Sequence, residues 1–162
     1  MKNLLYTFLA LLVLTTSCAE ELECCQDLPT HFYDVAVIDA NAGDLLDPNT
    51  PGAINPAGIR LFRLEGNKEI AVALKGGEAL DSPHGVMPYE EGGRRFLRLF
   101  FDYQGLADEF IGIIQWDSNK RDTLVHQFNQ TGKQKHLVRI LHDGQPLWEI
   151  GKTPAPFITF EK

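Results

Sequence analysis

Residues 59–74 read IRLFRLEGNKEIAVAL, and this stretch decides the fold class. Two runs of alternating apolar and polar residues flank Gly66 and Asn67, a pair that readily takes the positive φ values of a two-residue hairpin turn. Successive side chains of a strand point to opposite faces, so a turn there puts Ile59 and Leu61 on one face with Ile70, Val72 and Leu74. The other face carries Arg60, Phe62, Glu69, Ala71 and Ala73. One face is built for a core and the other is at least partly wet, as in an antiparallel sheet covered on one side.

The same alternation spreads in both directions. Residues 122–141, DTLVHQFNQTGKQKHLVRIL, predict a second hairpin whose turn opens at Asn129 and closes at Gly132, where glycine fits the left-handed position. That turn pairs Leu124 with Val138 and His126 with His136. Asp143-Gly144 is a strong hairpin signal that sets Arg139 opposite Trp148 and Leu137 opposite Ile150, extending the hairpin into a meander. FLRLFFDY (96–103) and EFIGIIQW (109–116) are strong strands joined by QGLAD, while HFYDVAVIDA (31–40) and PFITFEK (156–162) open and close the domain. Pro48, Pro51 and Pro56 fall in one long early loop, and Pro83 and Pro88 mark another. No window keeps a 3.6-residue period over three turns, and turn signals recur about every ten residues. The expectation is an all-β, antiparallel β-sandwich of about seven to nine strands, Ig-like or transthyretin-like, spanning residues 31–162.

Ahead of it lies an address. MKNLLYTFLALLVLTTSC places Lys2 before an apolar stretch from Leu4 to Leu14 and small residues before Cys18, the pattern of a secretory signal. The apolar stretch is about half of the roughly 20 residues that a membrane-spanning helix needs. Thr16, Ser17 and Cys18 resemble the end of a bacterial lipobox, although Thr15 stands where leucine is usual and Leu14 lies one place further back. Residues 1–17 are therefore expected to be a lipoprotein signal peptide and Cys18 the lipidated residue, against ordinary cleavage near Ala19. Several acyl chains, at about 0.8 kcal/mol per buried methylene, make a stable anchor. Residues 18–30 form an acidic tether, whose AEELE resembles the surface-export signal of Bacteroidetes-type lipoproteins. Cys24 and Cys25 are neighbours, a spacing that favours free thiols or pairing to another molecule over a bond between them. No cysteine follows, so no disulfide staples the domain.

Removing residues 1–17 takes away Lys2 and shifts the formal charge from −7 to −8. An acidic chain argues against nucleic acid as a partner, because phosphate backbones reward clustered Lys and Arg. Arg94, Arg95 and Arg98 are the one dense basic cluster, with Glu90 and Glu91 just ahead of it. Those two glutamates are adjacent, so in a strand they point to opposite faces and suit a solvated edge better than a shared substrate atom.

IIQWDSNKRDTLVHQF (113–128) followed by LVRILHDGQPLWEI (137–150) resembles a pattern in small Bacteroidetes surface lipoproteins. There an aromatic strand ending in tryptophan, here Trp116, leads to an Asp-Thr pair, here Asp122 and Thr123, and then to a turn, here Asp143-Gly144. The loop GDLLDPNTPGAI (43–54) belongs to the same resemblance. It implies a surface lipoprotein with an Ig-like or transthyretin-like sandwich, and it carries over no catalytic residue.

Residues 39–52, DANAGDLLDPNTPG, look most like a site. Asp39 and Asn41 begin like a calcium loop, with Asp44 close by, but Gly43, Asp44 and Thr50 occupy the fifth, sixth and twelfth positions, where such a loop wants oxygen, glycine and a bidentate glutamate. Asx turns with Pro48, Pro51 and Gly52 explain the composition more simply, which makes the stretch a crossover loop with Asp39, Asn41 and Asp44 as cation candidates. The expected His126–His136 pair could share a transition metal or be two surface imidazoles. Ser82 stands beside Asp81 and His84, but neighbours along a loop rarely assemble a triad. Neither a G-x-S-x-G nor an H-E-x-x-H motif occurs. Trp116 and Trp148, with Tyr89 and Tyr103, could offer faces to a sugar or could be core. No residue pattern calls for a cofactor.

These readings predict a lipid-anchored outer-membrane or cell-surface protein with a non-enzymatic binding or assembly role, its partners the membrane and an outer-membrane protein or glycan. A hydrolase of an extracellular glycan or peptide, and a structural accessory of an outer-membrane complex, are the alternatives.

Overall fold

The computed structural model describes residues 32–73, 82, 84–101, 108–131, 134–152 and 157–162. The signal segment, Cys18, the tether with Cys24 and Cys25, Leu74, Asp81 and Tyr103 lie outside the described residues. Ten strands are described: β1 Phe32–Ile38, β2 Arg60–Glu65, β3 Lys68–Ala71, β4 Val86–Glu91, β5 Arg94–Phe100, β6 Glu109–Gln115, β7 Arg121–Thr131, β8 Gln134–His142, β9 Gln145–Glu149 and β10 Phe157–Glu161. They form a four-stranded sheet in the order β10-β1-β5-β4 and a six-stranded sheet in the order β3-β2-β6-β7-β8-β9. All pairings are antiparallel except β1 with β10, which run parallel. The chain is a β-sandwich.

The hairpin at 59–74 forms as its alternation requires. Glu65 pairs with Lys68 across the turn, Gly66 takes φ +59°, and Ile59, Leu61 and Val72 are buried. Opposite them in the core stand Val35 from β1, Leu97 and Leu99 from β5, and Ile158 from β10. Each fully buried aliphatic side chain contributes about 1.5–3 kcal/mol relative to exposure, which is what holds the two sheets face to face.

Three sequence expectations need correction. Pro88 lies inside β4 rather than in a loop, opposite Leu97 of β5. This supplies the strand beyond the expected seven to nine. β4 is an edge of the smaller sheet, where a residue without an N–H leaves no ladder position unfilled.

The β7–β8 turn lies further along than expected, since Thr131 pairs with Gln134, so His126 faces Ile140 and His136 faces Asn129. A register shift leaves Val138 as the extra residue between Arg139 and Leu137. Leu137 and Ile140 are both buried, although strict alternation would send residues three apart to opposite faces. The bulge brings both inward, as an added residue in one strand does.

A second shift, between Ile140 and Leu141, places Arg139 opposite Glu149 and Ile140 opposite Trp148. The Asp143-Gly144 turn itself is as expected, with His142 opposite Gln145.

His126 packs between the sheets, 1% exposed. The Phe110 ring stacks on it at 4.4 Å and Phe101 lies 5.0 Å away. Gly112 makes this fit, because a Cβ there would lie 2.6 Å from His126 Cε1 and 2.9 Å from Phe101 Cε1. Overpacking a filled core costs about 1–3 kcal/mol. Gly112→Ala is therefore expected to lose stability by that amount in urea unfolding, and an unchanged midpoint would show that the rings yield freely.

Candidate functional site

The loop after β1 crosses from the smaller sheet to the larger one, and its acidic side chains shape it. Asp39 Oδ1 accepts hydrogen bonds from the backbone N–H of Asn41 at 2.8 Å and of Gly43 at 2.7 Å, while Ala42 takes φ +62°. Asp44 Oδ1 accepts from Leu46 N–H at 2.9 Å, and its Oδ2 from Arg95 N–H at 3.2 Å. Asp47 Oδ1 accepts from Asn49 N–H at 3.0 Å, and this bond above all holds the Asp47 carboxyl below its ordinary range. These are Asx turns. Asp39 and Asp44 thus direct oxygens at backbone N–H groups, and no group of three or more His, Cys, Asp or Glu suited to a metal gathers among the described residues. The turns aim Leu45 and Leu46 into the core, at 5% and 4% exposure.

Between this loop and the β4–β5 hairpin lies a groove of about 600 Å³, within the size range of ligand pockets. Leu46, Ile54, Pro48, Pro56, Pro88 and Leu97 give it apolar wall. At its rim Arg95 Nε lies 3.7 Å from Glu90, and Nη1 lies 3.6 Å from Asp47. Nη1 also donates to the Leu46 carbonyl at 3.4 Å. Ala53, Asn55, Tyr89 and Phe96 also line it.

The Tyr89 and Phe96 rings point to the outer face of the smaller sheet, away from Leu97. Leu97 and Leu99 of β5 point into the core, so Phe96, Arg98 and Phe100 point away from it. There Arg98 forks Asp34 of β1, Nε to Oδ1 at 2.8 Å and Nη2 to Oδ2 at 3.0 Å. Its guanidinium carbon lies 4.1 Å from the centre of the Phe32 ring and 5.2 Å from that of Tyr89. Phe32 meets Phe100 at 5.6 Å, Tyr89 meets Phe96 at 5.4 Å, and Phe96 meets Phe157 at 5.8 Å. Burial, then the neighbouring Asp34 carboxylate, pushes the Tyr89 hydroxyl above the usual phenol range.

Other expected site residues are placed differently. Trp116 and Trp148 are 2% and 5% exposed, so neither offers a face to a sugar, and their large apolar area explains why they are inside. His126 is interior and His136 pairs elsewhere, so the two imidazoles make no metal pair. Ser82 is buried, and its Oγ has no hydrogen-bond partner among the described residues; His84 is exposed, and the two form no nucleophile–base pair. Glu90 and Glu91 both lie exposed on the edge strand β4.

Phe32, Phe96, Phe100 and Phe157 were missed as site residues. The signal was present: in FLRLFF, Phe96 and Phe100 share with Arg98 the parity opposite to Leu97, Leu99 and Phe101, so rings stand on both faces of the strand.

No family model matches the chain, and no curated protein or solved structure matches it either.

Proposed function

We propose that this β-sandwich is a lipid-anchored, non-enzymatic binding protein of the outer membrane or cell surface, and that its ligand or partner seats in the groove between the 39–58 loop and the β4–β5 hairpin. The observation that carries this is the groove itself, apolar along its wall with its charges confined to the Arg95, Glu90 and Asp47 rim. An apolar wall with a few placed polar groups is the usual make-up of a binding pocket. The partnering of Arg95 by two carboxylates favours recognition over proton transfer. Anchoring is supported by the lipobox-like Thr16-Ser17-Cys18 and by the resemblance to Bacteroidetes surface lipoproteins.

The test is a pull-down of the lipidated protein from its own membrane, alongside Cys18→Ala and Ala53→Trp variants. Ala53 lines the groove, and an indole there fills it. Wild type is expected to recover a partner or ligand that Ala53→Trp loses at unchanged melting temperature. Cys18→Ala is expected to leave the membrane fraction. Recovery of the wild type alone would overturn the binding role, and turnover of a glycan or peptide by the purified chain would overturn the non-enzymatic one.

A further inference from the structure

Asp122 of β7 meets Lys162, which directly follows β10, where the larger sheet and the smaller one close on each other. The two side chains are 8% and 15% exposed. Lys162 Nζ donates to Asp122 Oδ2, and it lies 5.5 Å from the centre of the Trp116 ring and 5.2 Å from that of Phe160. Two more groups reach the same carboxyl, one at each oxygen. Trp116 Nε1 donates to Oδ2, and His142 Nε2 lies 3.2 Å from Oδ1. That imidazole is 29% exposed and also lies 3.8 Å from the solvated Asp143 carboxylate, so it touches both the cluster and the water outside.

Together the four side chains supply what acyl substitution at Asp122 Cγ requires. Lys162 is an amine placed to attack, Trp116 offers an N–H to the oxygen that gains negative charge, and His142 can pass protons to the oxygen that leaves. The strands hold all four in place, which turns an encounter between two groups into an intramolecular step. The rings around Nζ keep bulk water away, which favours loss of water over hydrolysis.

We infer that Asp122 and Lys162 condense to an amide, a covalent cross-link between the two sheets. Nζ loses a proton and attacks Asp122 Cγ, while the Trp116 N–H bonds Oδ2 in the tetrahedral intermediate. His142 relays to Oδ1 the two protons that the ammonium sheds, the Cγ–Oδ1 bond breaks, and Oδ1 leaves as water. One Nζ–Cγ bond replaces one Cγ–Oδ1 bond, with no change of oxidation state and no co-reactant. The ion pair is the reactant of this step.

Trypsin cuts after Arg121, Lys133 and Lys152, so a digest of the purified, unfolded lipoprotein releases residues 122–133 and 153–162 either as two peptides or as one branched peptide. Tandem mass spectrometry is expected to find the branched form, lighter than the two peptides together by one water, with the branch between Asp122 and Lys162. Lys162→Arg keeps the charge and is expected to give only separate peptides. Asp122→Asn is expected to give the same branch with loss of ammonia instead of water. In freshly synthesised protein, His142→Gln is expected to form the branch about a hundredfold more slowly. Separate peptides alone from the wild type, even after prolonged incubation of the folded protein, would overturn the cross-link and leave an ion pair, and a branch between any other two residues would overturn it as well. A branch formed at the wild-type rate by His142→Gln would overturn the relay.

Discussion

Replacing Asp122 with alanine is expected to destabilise the protein by about 3–5 kcal/mol, the cost of removing one partner from a buried ion pair. Asp122 lies on β7 in the larger sheet and is 7% exposed. Its Oδ2 accepts from the indole N–H of Trp116 and from the Lys162 ammonium, and Oδ1 lies 3.2 Å from His142 Nε2. Lys162 directly follows β10 in the smaller sheet, and its backbone N–H donates to the Ile38 carbonyl at 2.9 Å. The carboxylate thus fastens one sheet to the other. Without it, a Lys162 side chain only 15% exposed loses its carboxylate beside the Trp116 and Phe160 rings, and the Trp116 N–H loses its acceptor. At roughly 2–4 °C per kcal/mol for a domain of this size, the melting temperature should fall by about 10 °C. Asp122→Asn keeps an acceptor for Trp116 and should lose less. A double-mutant cycle with Lys162→Met checks the clamp: additive losses, or an alanine variant within about 1 kcal/mol of wild type, would remove it.

Acid should destabilise the protein through His126. Burial pushes its pKa down from 6.5 to about 3, opposed weakly by the Phe110 backbone. The Tyr33 hydroxyl from β1 lies 3.3 Å from Nε2, itself pushed well above the usual phenol range by burial, so it offers no negative charge. The unfolded imidazole binds a proton below about pH 6.5, while the folded one stays neutral until about pH 3. The neutral fold therefore has its full advantage above pH 6.5 and loses it progressively toward pH 3. At 1.36 kcal/mol per pH unit, stability should drop by about 2 kcal/mol from pH 7 to pH 5 on this account alone. His126→Leu should remove that drop, while leaving the buried Tyr33 hydroxyl without its ring-nitrogen partner at a cost of about 1–3 kcal/mol that is the same at both pH values. Urea unfolding of both proteins at the two pH values decides the matter, and parallel losses would mean that His126 is not the acid-sensitive group.

These two residues mark how far the sequence could be read. Asp122 and Trp116 stood out as part of a resemblance, but their hydrogen bond to each other, and the arrival of Lys162 from the other sheet, depend on a crossing of the chain that no local pattern encodes. His126 looked like a surface imidazole because the expected register paired it with His136. One bulge and a later turn put it inside. Pro88 suggested a loop because proline cannot fill a central strand, and only the sheet order makes β4 an edge.

The sequence by itself determined what short-range chemistry controls. The Gly66-Asn67 and Asp143-Gly144 turns, the all-β alternation and the Asx turns of the 39–52 loop depend on residues within a few positions of each other, so they were legible. Tertiary structure alone decided which parity faces the core in the β7–β8–β9 meander, because a period of two is inverted by a single bulge, and which distant strands meet. It sent both tryptophans inward and left Tyr89, Phe96 and Phe157 outside around Arg98 and Asp34. Burial and exposure of a ring are set by the sheet packed against it, which residues far along the chain supply.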